Sequence, residues 1–537
     1  MADKLAEAGV ERLRAAPEVS LDVRLGLSPA QLAKEVGAYD ALIIRSGVQV
    51  TREVLASAGR LRAIARAGVG VDNVDVDAAT AAGILVLNTP DANTISTAEH
   101  TLAMILAVYR RIPFAHAHVL AGQWQRNAFI GHQLAGQVLG LVGLGRVGRA
   151  VALRALAFEM QVVAYDPFVQ ESAVLEGRVS VLPELANVLR QVDCMSLHAT
   201  LSPQTRGLIG AKELALMKPT AVLVNCARGE LVDEAALAVA LNVGRLGGAA
   251  VDVFSKEPPS GNPLLSAKNI VLTPHLGAST EEAQTAVSVD AVEALLDYLL
   301  RGQIRWAVNL TGLPAHLSPR DRAYLDLCSR MATLLSSFCG TGIERIRVTT
   351  YGESLERLTS TLARQAVVDL LSPHLSARLN LVNAEIHARS RGIALEHVNR
   401  SAAGNYTDSM MIGVGGRDCA HAVEGTVFID GLPRILAIDE YRMEMVPEGP
   451  LVLIFNDDRP GVIGLVGTLF GRQQLNIADM TLSRRASTAL MLLKLDEPAP
   501  PNVLDELRGL SGSGGPILSV QTVSLPPIVR TPPARVG

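Results

Sequence analysis

Few aromatic residues, few cysteines and no long apolar run distinguish this chain of 537 residues. Aromatic side chains make up only 4% of it, so its apolar content comes mainly from Ala, Leu and Val, as expected for buried parallel strands and their covering helices. The cysteines are Cys194, Cys226, Cys328, Cys339 and Cys419. They form no CxxC pair and no zinc-ligand spacing, which favours a reduced, cytoplasmic protein without a metal site.

Membrane insertion and nucleic-acid binding have no support in the sequence. The longest uncharged apolar stretches, such as "TLAMILAVY", are well short of the ~20 residues that cross a bilayer. The N-terminus, "MADKLAEAGVERLRAAPEV", lacks the apolar centre of a signal peptide. Lys and Arg total 49 against 53 Asp and Glu, and this net charge of -4 indicates neither a nucleic acid nor an anionic membrane as partner. At ~150 residues per domain, the length predicts three or four domains.

Short apolar runs alternate with helical patterns between residues 134 and 274. The predicted strands are Val138 to Val142, Gln161 to Tyr165, Cys194 to Leu197, Ala221 to Val224, Gly248 to Val253 and Ile270 to Thr273. This alternation predicts an α/β fold with a doubly wound parallel sheet. Residues 20–88 repeat the alternation more weakly, which predicts a second Rossmann-like domain, and the helical segment after residue 280 could return the chain to it.

Beyond residue 307 the sequence changes in character. Helices are predicted at about 318–337, 355–371 and 377–390, followed by strands to about residue 440, which indicates an α+β domain. The segment from "PLVLIFN" to "ILSVQTVSL" predicts the βαββαβ order of a ferredoxin-like unit. The Pro-rich end, residues 527–537, predicts a disordered tail.

The segment "VLGLVGLGRVG" contains a G-x-G-x-x-G pattern between a predicted strand and a predicted helix, which is typical of a dinucleotide site. The residues of this turn are Gly143, Gly145, Arg146, Val147 and Gly148. Such a turn places a diphosphate on the helix N-terminus. Asp166 ends the next strand, where a carboxylate binds the ribose hydroxyls and repels a 2′-phosphate, so NAD is favoured over NADP.

Three polar residues follow predicted parallel strands, at the sheet edge where open α/β sheets bind ligands. They are Arg228 in "VLVNCARGE", Glu257 in "GGAAVDVFSKEPP" and His275 in "IVLTPHLGAST". Beside a nicotinamide they suit reversible oxidation of an alcohol. His275 would take the hydroxyl proton, Glu257 would orient the ring and favour its protonated form, and Arg228 would hold the carbonyl oxygen and a neighbouring carboxylate.

These segments resemble the D-2-hydroxyacid dehydrogenases. The resemblance is carried by "RAGVGVDNVD", "LGLVGLGRVG", "VNCARGELVDE", "VDVFSKEPP" and "TPHLGASTEEAQ", and it spans nearly the whole chain. It implies that Arg228, Glu257 and His275 are the catalytic residues. It also implies that five residues adjoin the nicotinamide end of the cofactor, namely Cys226, Ala227, Asp252, Gly277 and Ala278.

Within this family the chain looks most like the long form that oxidises D-3-phosphoglycerate to 3-phosphohydroxypyruvate, the first step of L-serine biosynthesis. The resemblance implies that Arg45 and Arg66 bind the substrate anion. The implied carboxylate-binding residues are Gly68, Val69, Gly70 and Asn93. The segment with Trp124 and Arg126 resembles one at the dimer side of the active site, and the family implies homodimers or homotetramers.

The resemblance also implies a division into domains. Residues 1–88 and 276–307 would form a discontinuous substrate-binding domain around an NAD-binding domain of residues 89–275. Residues 308–446 resemble the intervening domain of the long form, and residues 447–526 resemble an ACT regulatory domain. Asp458 and Asn476 match its effector-binding positions, which implies feedback inhibition by L-serine. The chain begins at "MADKLAEAG", where the family has an apolar strand, so we expect an exposed sheet edge or a start further upstream.

Three interpretations remain open at this stage. The first is the phosphoglycerate-oxidising enzyme with amino-acid feedback. The second is a dehydrogenase for another D-2-hydroxy acid, which would differ only in the anion pocket. The third is an NAD-sensing binding protein of the corepressor type, on the same fold. The C-terminal third could serve instead as an oligomerisation scaffold.

Overall fold

The computed structural model describes residues 1–170, 173–314, 317–339, 342–375, 378–401, 406–417, 419–511 and 515–528. In these residues the strands form four sheets, with three, eight, six and four strands in chain order. The predicted tail lies outside the described residues from residue 529 onward. Among the helices of the described part, none is long and apolar enough to cross a membrane.

The N-terminal sheet is parallel and has helices on both faces. Its elements are α1 (Glu7–Arg14), α2 (Pro29–Glu35), β1 (Ala41–Ile44), α3 (Arg52–Ala56), β2 (Ala63–Arg66), α4 (Val76–Ala81) and β3 (Leu85–Leu87). The strands lie in the order β1-β2-β3. Because successive side chains in a strand point to opposite faces, Ile44 and Ile64 pack with α2 to α4, whereas Ile43 and Ala65 pack with α1.

The second sheet is doubly wound, as the sequence predicts. Its elements are α5 (Thr94–Tyr109), α6 (Ile112–Leu120), β4 (Val138–Val142), α7 (Arg146–Ala157), β5 (Gln161–Tyr165), β6 (Ala173–Val174), β7 (Val179–Val181), α8 (Leu185–Gln191), β8 (Cys194–Leu197), α9 (Ala211–Leu216), β9 (Val222–Asn225), α10 (Glu234–Asn242), β10 (Gly248–Val251), β11 (Ile270–Leu272) and α11 (Glu281–Arg301). The strand order is β11-β10-β9-β8-β4-β5-β7-β6, and all pairs but β6 with β7 are parallel. The chain leaves β4 towards β5 on one side and returns to β8 on the other, which creates the crevice where such sheets bind nucleotides.

Helix α11 carries the chain from the second sheet back to the first. Its buried residues Val287, Ala291 and Leu295 pack with Val10 of α1 and with Leu85 of β3. The two sheets are therefore linked both by the segment before α5 and by α11. The segments after β9, β10 and β11, which carry Arg228, Glu257 and His275, lie between these two connections in the chain.

The third sheet is mixed and packs against two long helices. Its elements are α12 (Pro319–Ser336), β12 (Ile343–Tyr351), α13 (Thr359–Leu371), α14 (Ala384–Ser390), β13 (Ala394–Arg400), β14 (Ser409–Gly416), β15 (Ala420–Val427), β16 (Pro433–Ile438) and β17 (Tyr441–Met445). The strand order is β13-β12-β14-β15-β16-β17. Leu327 and Met331 of α12 pack with Leu362 and Val367 of α13 in its core.

In this region the structure differs from the sequence prediction at one strand and at the starts of two helices. Strand β12 was not predicted, because a register irregularity between Ile343 and Arg345 exposes two charged residues in succession and breaks the alternation. The predicted helix at 355–371 begins as a 3-10 turn and becomes α13 only at Thr359, and the helix predicted from residue 377 begins at Ala384.

The structure also differs from the prediction of wholly reduced cysteines. Cys339 and Cys419 form a disulfide, with their Cα atoms 5.6 Å apart and a sequence separation of 80. The packing of the end of α12 beside the start of β15 brings them together, and no local spacing in the sequence could indicate it. Cys194, Cys226 and Cys328 are free and buried.

The fourth sheet has the predicted βαββαβ order. Its elements are β18 (Gly449–Asp457), α15 (Val462–Arg472), β19 (Ile477–Arg485), β20 (Thr488–Leu495), α16 (Pro501–Gly509) and β21 (Ile517–Leu525). The strands are antiparallel in the order β19-β20-β18-β21, and Val466, Phe470, Val503 and Leu507 of the two helices pack on one face.

Candidate active site

The glycine turn after β4 is shaped by close backbone contacts. Gly143 has a φ of 93°, and a β-carbon there would lie 2.8 Å from the backbone carbon of His198. At Gly148 a β-carbon would lie 2.2 Å from the carbonyl oxygen of Gly143. Gly145 instead faces open space, since no heavy atom lies within 4 Å of an added β-carbon. This space adjoins the N-terminus of α7, whose free N–H groups fit the diphosphate of a dinucleotide.

Asp166 connects this turn with the end of β5. Its carboxylate accepts hydrogen bonds from the N–H groups of Leu144, at 2.8 Å, and Phe168, at 2.9 Å. The carboxylate therefore fixes the glycine turn, and its position at the end of β5 makes it a candidate to bind the ribose of a dinucleotide. Arg146, at the start of α7, forms an ion pair with Asp91 in the segment that leads into α5.

His275 and Glu257 form a direct pair beyond the ends of β10 and β11. The Nδ1 atom of His275 lies 2.8 Å from Oε2 and 3.1 Å from Oε1 of Glu257, and the Phe254 N–H donates to Oε1. Because an ionised carboxylate only accepts hydrogen bonds, we assign the hydrogen to Nδ1, which leaves Nε2 to exchange a proton. The two side chains are 47% and 39% exposed, so a substrate can reach them.

Arg228 follows β9 and is held on both sides. Asn225 Nδ2 donates to its carbonyl oxygen at 2.8 Å, and its own Nε donates to Asp72 at 3.1 Å. The next residue, Gly229, lies so close to the segment after β10 that a β-carbon would be 2.0 Å from the backbone carbon of Phe254. The loop that carries Arg228 is thus packed directly against the segment that leads to the His–Glu pair.

The guanidinium groups of Arg45 and Arg228 lie close enough to Arg66 to act on its charge. Burial, and then the charges of Arg228 and Arg45, lower the pKa of Arg66 from 12.5 to about 10. The negative charges of Asp72 and Asp3 act in the opposite direction and raise that pKa. The Nε atoms of Arg45 and Arg66 are buried without a hydrogen-bond partner among the described residues. Buried, unpaired donors on charged groups are costly, so this pocket suits an anionic ligand.

The loop of Gly68, Val69 and Gly70 lies against these guanidinium groups. A β-carbon on Gly68 would lie 1.6 Å from Nη1 of Arg66, and one on Gly70 would lie 1.9 Å from Nη2 of Arg228. Side chains at these two positions would displace the arginines. The absence of side chains there is what lets the loop backbone approach a bound anion.

Asn93 is the residue immediately before α5. Its Oδ1 atom is buried without a hydrogen-bond partner in the described part of the chain, as is Oγ1 of Thr94. Buried polar atoms are normally paired, so these atoms are candidates for contact with a ligand or with water.

The five residues expected at the nicotinamide end, Cys226, Ala227, Asp252, Gly277 and Ala278, all follow β9, β10 or β11. Burial, with the charge of Asp252, raises the pKa of the Cys226 thiol to about 12. The thiol is therefore neutral at physiological pH and forms part of the wall of the site rather than a nucleophile.

Three residues of this region were not identified from the sequence. Asp72 binds Arg228, Asp91 binds Arg146, and His100 lies 3.1 Å from Asp252. Asp72 is part of the quoted motif "RAGVGVDNVD", and His100 is a polar residue within the apolar pattern of α5, which was the available signal.

The two predicted effector residues, Asp458 and Asn476, lie at the end of β18 and just before the start of β19 in the fourth sheet. Asp458 follows β18, and its carboxylate lies 3.3 Å from Nε of Arg484. Asn476 precedes β19, and its Nδ2 donates to Asp496 at 2.7 Å. Each residue thus has its own partner within the protein.

Comparison with known proteins agrees with this architecture. The family profile for "D-isomer specific 2-hydroxyacid dehydrogenase, NAD binding domain" matches residues 102–277. Those for "D-3-phosphoglycerate dehydrogenase intervening domain" and "ACT domain" match residues 321–439 and 451–512. The crystal structure of the TT0316 protein from Thermus thermophilus superposes with a TM-score of 0.53 and 38% identity, and covers 57% of this chain and 98% of that one. The fold and the matched domain define an NAD-dependent D-2-hydroxyacid dehydrogenase.

Full-length relatives narrow this class. A D-3-phosphoglycerate dehydrogenase of Synechocystis sp. is 40% identical over 516 residues, which cover 95% of this chain and 92% of the relative. The D-3-phosphoglycerate dehydrogenase of Archaeoglobus fulgidus is 39% identical over 517 residues, which cover 95% of this chain and 98% of the relative. The chain belongs to the D-3-phosphoglycerate dehydrogenase family.

Proposed function

We propose that the protein oxidises D-3-phosphoglycerate to 3-phosphohydroxypyruvate with NAD, as the first step of L-serine biosynthesis. The observation that carries the proposal is the His275–Glu257 pair at 2.8 Å, together with the guanidinium groups of Arg45, Arg66 and Arg228. The loop of Arg228 packs, through Gly229, against Phe254 of the segment that leads to this pair. The His275–Glu257 pair can accept and release a proton, and the guanidinium groups can bind a substrate with two anionic groups.

His275 takes the proton of the C2 hydroxyl at Nε2, while Glu257 keeps Nδ1 hydrogen-bonded and stabilises the imidazolium that forms. Arg228 binds the C2 oxygen and the adjacent carboxylate, since its planar fork suits two oxygens. When bound, NAD supplies the acceptor for the hydride that leaves C2. Gly68, Val69, Gly70 and Asn93 bind the carboxylate, and Arg45 and Arg66 bind the phosphate.

The glycine turn and Asp166 bind the cofactor in this proposal. Gly143, Gly145 and Gly148, with Arg146 and Val147 between them, border the diphosphate. Support comes from the open space at Gly145 and from the hydrogen bond between Asp166 and the N–H of Leu144. Cys226, Ala227, Asp252, Gly277 and Ala278 lie around or behind the nicotinamide end.

Substrate choice tests the anion pocket. We expect NADH formation, with the keto product trapped, to be much faster with D-3-phosphoglycerate than with D-glycerate or D-lactate. One charge-assisted hydrogen bond contributes about 1.5 to 3 kcal/mol, so kcat/KM should differ by at least about tenfold. Equal or higher kcat/KM for the unphosphorylated acids would contradict the phosphate role of Arg45 and Arg66.

We propose the domain division that the sequence indicates. The substrate-binding domain comprises residues 1–88 and 276–307, the NAD-binding domain residues 89–275, the intervening domain residues 308–446 and the ACT domain residues 447–526. The return of α11 to the first sheet supports the discontinuous domain, and the separate third and fourth sheets support the last two.

We infer that L-serine binds the ACT domain and inhibits the enzyme. The Asp458 carboxylate suits the ammonium group of an amino acid, and the Asn476 amide suits its polar oxygens. Because Asp458 follows β18 and Asn476 precedes β19, at opposite edges of the sheet, one serine would contact both only between two ACT domains. Inhibition requires that serine bind one global state better than another, by a coupling free energy of about 1 to 3 kcal/mol.

Asp458→Ala should abolish inhibition by serine and leave the serine-free rate unchanged. The matched control is Asp505→Ala, since Asp505 is an exposed acid of α16 that pairs with Arg508. A wild-type rate that does not respond to serine, or equal inhibition of Asp458→Ala and wild type, would contradict the proposal.

We propose that the protein is a homodimer or homotetramer, with α6 and the segment after it at one interface. Helix α6 has no buried residue, and Leu120, at 76% exposure, Trp124 and Ile130 are exposed large side chains. Exposed apolar patches mark interaction surfaces. Sedimentation equilibrium should give a dimer or larger, and Leu120→Asp should lower the mass, whereas Ile429→Asp, at a fully exposed loop position, should not. A monomeric wild type would contradict the proposal.

We also infer a cytoplasmic location. The free thiols of Cys194, Cys226 and Cys328 support it, and the disulfide of Cys339 and Cys419 counts against it. Cell fractionation should place activity in the cytosolic fraction.

A further inference from the structure

A buried carboxylate lies directly behind the turn that carries His275. The side chain of Asp252 has 0% exposure, and both of its oxygens are hydrogen-bonded. Oδ1 accepts from Thr273 Oγ1 at 2.6 Å and from the Leu276 N–H at 2.8 Å, and it lies 3.1 Å from His100 Nε2. Oδ2 accepts from the Gly277 N–H at 2.9 Å.

The backbone of the turn depends on Asp252. The N–H of His275 donates to the Asp252 carbonyl oxygen at 2.8 Å, so three consecutive N–H groups, of His275, Leu276 and Gly277, donate to one residue. His275 has a φ of 56°, in the left-handed region that costs a non-glycine residue about 1 to 3 kcal/mol. Successive N–H groups in such a turn form an anion-binding nest, and here the anion is the Asp252 carboxylate.

Helix α5 holds the same turn from the other side. Oγ of Ser96 donates to the carbonyl oxygen of Gly277 at 2.8 Å, and Oγ1 of Thr97 does so at 3.2 Å. His100 lies one turn further along α5, on the same side as Ser96, because residues four apart are neighbours on a helix. The helix thus contacts the turn at Gly277 and the carboxylate behind it.

Four donors surround the carboxylate, three of them at Oδ1 and one at Oδ2. The ligand atoms of His100, Cys226 and Asp252 lie within 4.8 Å of one another. Because an ionised carboxylate only accepts hydrogen bonds, we assign a hydrogen to His100 Nε2, 3.1 Å from Oδ1 of Asp252, so His100 is a donor to Asp252. Burial raises the pKa of Asp252, but hydrogen bonds from His100, the Leu276 N–H and Thr273 bring it below its ordinary value.

We propose that His100 is a positioning residue for the dehydrogenase reaction: it holds the Asp252 carboxylate, and through Asp252 the turn that places His275. The inference rests on the proton-transfer role proposed for His275. His100 acts indirectly, since its ring contacts Asp252 and Thr273 rather than the His275 ring. Its removal leaves a buried anion short of one donor and loosens the left-handed turn.

The test compares His100→Leu with His100→Gln in the full-length protein. Leu fills the volume but donates no hydrogen bond, so kcat should fall by about tenfold to a hundredfold, the effect of misplacing a catalytic group by about 1 Å. KM for D-3-phosphoglycerate should stay within about twofold. Gln should recover most of kcat, because its amide nitrogen reaches the position of the His Nε2 atom. A role in packing alone would not separate Leu from Gln in this way.

Thr273→Val provides a second variant in case His100→Leu fails to fold. It removes another hydrogen-bond donor to Asp252 at nearly constant side-chain volume. We expect kcat to fall again while KM for D-3-phosphoglycerate stays unchanged. The proposal is overturned if His100→Leu, or in its place Thr273→Val, keeps kcat within twofold of wild type. It is also overturned if His100→Gln is as slow as His100→Leu, or if the loss appears in KM alone. His275→Ala is measured beside them: if it keeps wild-type turnover, the role of His275 is wrong, whatever the other variants show.

Discussion

Replacing Arg66 by Met should raise the free energy of unfolding of the protein and lower its kcat/KM for D-3-phosphoglycerate. Arg66 is partly buried beside two other arginines, and its pKa is lowered from 12.5 to about 10. At neutral pH the group is charged in both folded and unfolded states, so the folded state bears the whole penalty, at most about 3 kcal/mol. Partial solvent access and the lost attraction to Asp72 reduce the gain. We expect about 1 to 2 kcal/mol of stabilisation, because Met retains the apolar stem.

The same change should weaken binding of the phosphorylated substrate. Loss of a charge-assisted hydrogen bond of about 1.5 to 3 kcal/mol lowers kcat/KM by about 10- to 150-fold. For D-glycerate, which has no phosphate, we expect a change of less than about threefold. In wild type, KM for D-3-phosphoglycerate should rise as pH increases through about 10 and Arg66 loses its proton. The Arg66→Met variant should lack that rise.

Calorimetry and steady-state kinetics with both substrates measure the two effects. A gain of 1 kcal/mol raises the unfolding temperature of a domain of this size by about 2 to 4 °C. The control is Arg60→Met, since Arg60 is an exposed residue of the same domain that pairs with Asp40. It should change neither quantity. A lower unfolding temperature for Arg66→Met, together with equal losses for both substrates, would refute the reasoning.

Other substitutions test the remaining parts of the site. Glu257→Gln should lower kcat by about 10²-fold or more with little change in KM, because the His275 ring loses its charged partner; a rate near wild type would contradict that role. Gly229→Ala should lower both activity and melting temperature, because its β-carbon would lie 2.0 Å from the backbone of Phe254; an unchanged melting temperature would show that the segment yields. Asp166→Ser should lower kcat/KM for NAD and raise it for NADP, measured with saturating substrate; an unchanged cofactor ratio would exclude Asp166 from selectivity.

The second sheet could be predicted closely because parallel strands buried on both faces appear as continuous apolar runs. All six predicted strands exist, and their ends differ by at most two residues, as for Gly248–Val251. Where this signal was missing, the prediction failed. Strand β6 has only two residues, Ala173–Val174, and β12 contains the irregularity near Arg345 that interrupts its pattern.

The candidate site shows the same limit of local patterns. His275, Glu257 and Arg228 could be proposed because each follows a predicted strand, and strand ends of a parallel sheet meet at one edge. Asp72 lies 156 residues from Arg228, and His100 reaches Asp252 from a helix of another segment. Such partners depend on how the segments pack, as does the bond between Cys339 and Cys419.

The most direct test of the central claim is the initial rate of NADH formation from D-3-phosphoglycerate by wild type and by His275→Ala, with the keto product trapped. If His275, held by Glu257 at 2.8 Å, takes the hydroxyl proton, the variant should lose about 10²- to 10⁴-fold in kcat while still binding NAD. A loss of less than about tenfold, or a wild type without activity on D-3-phosphoglycerate, would contradict the account.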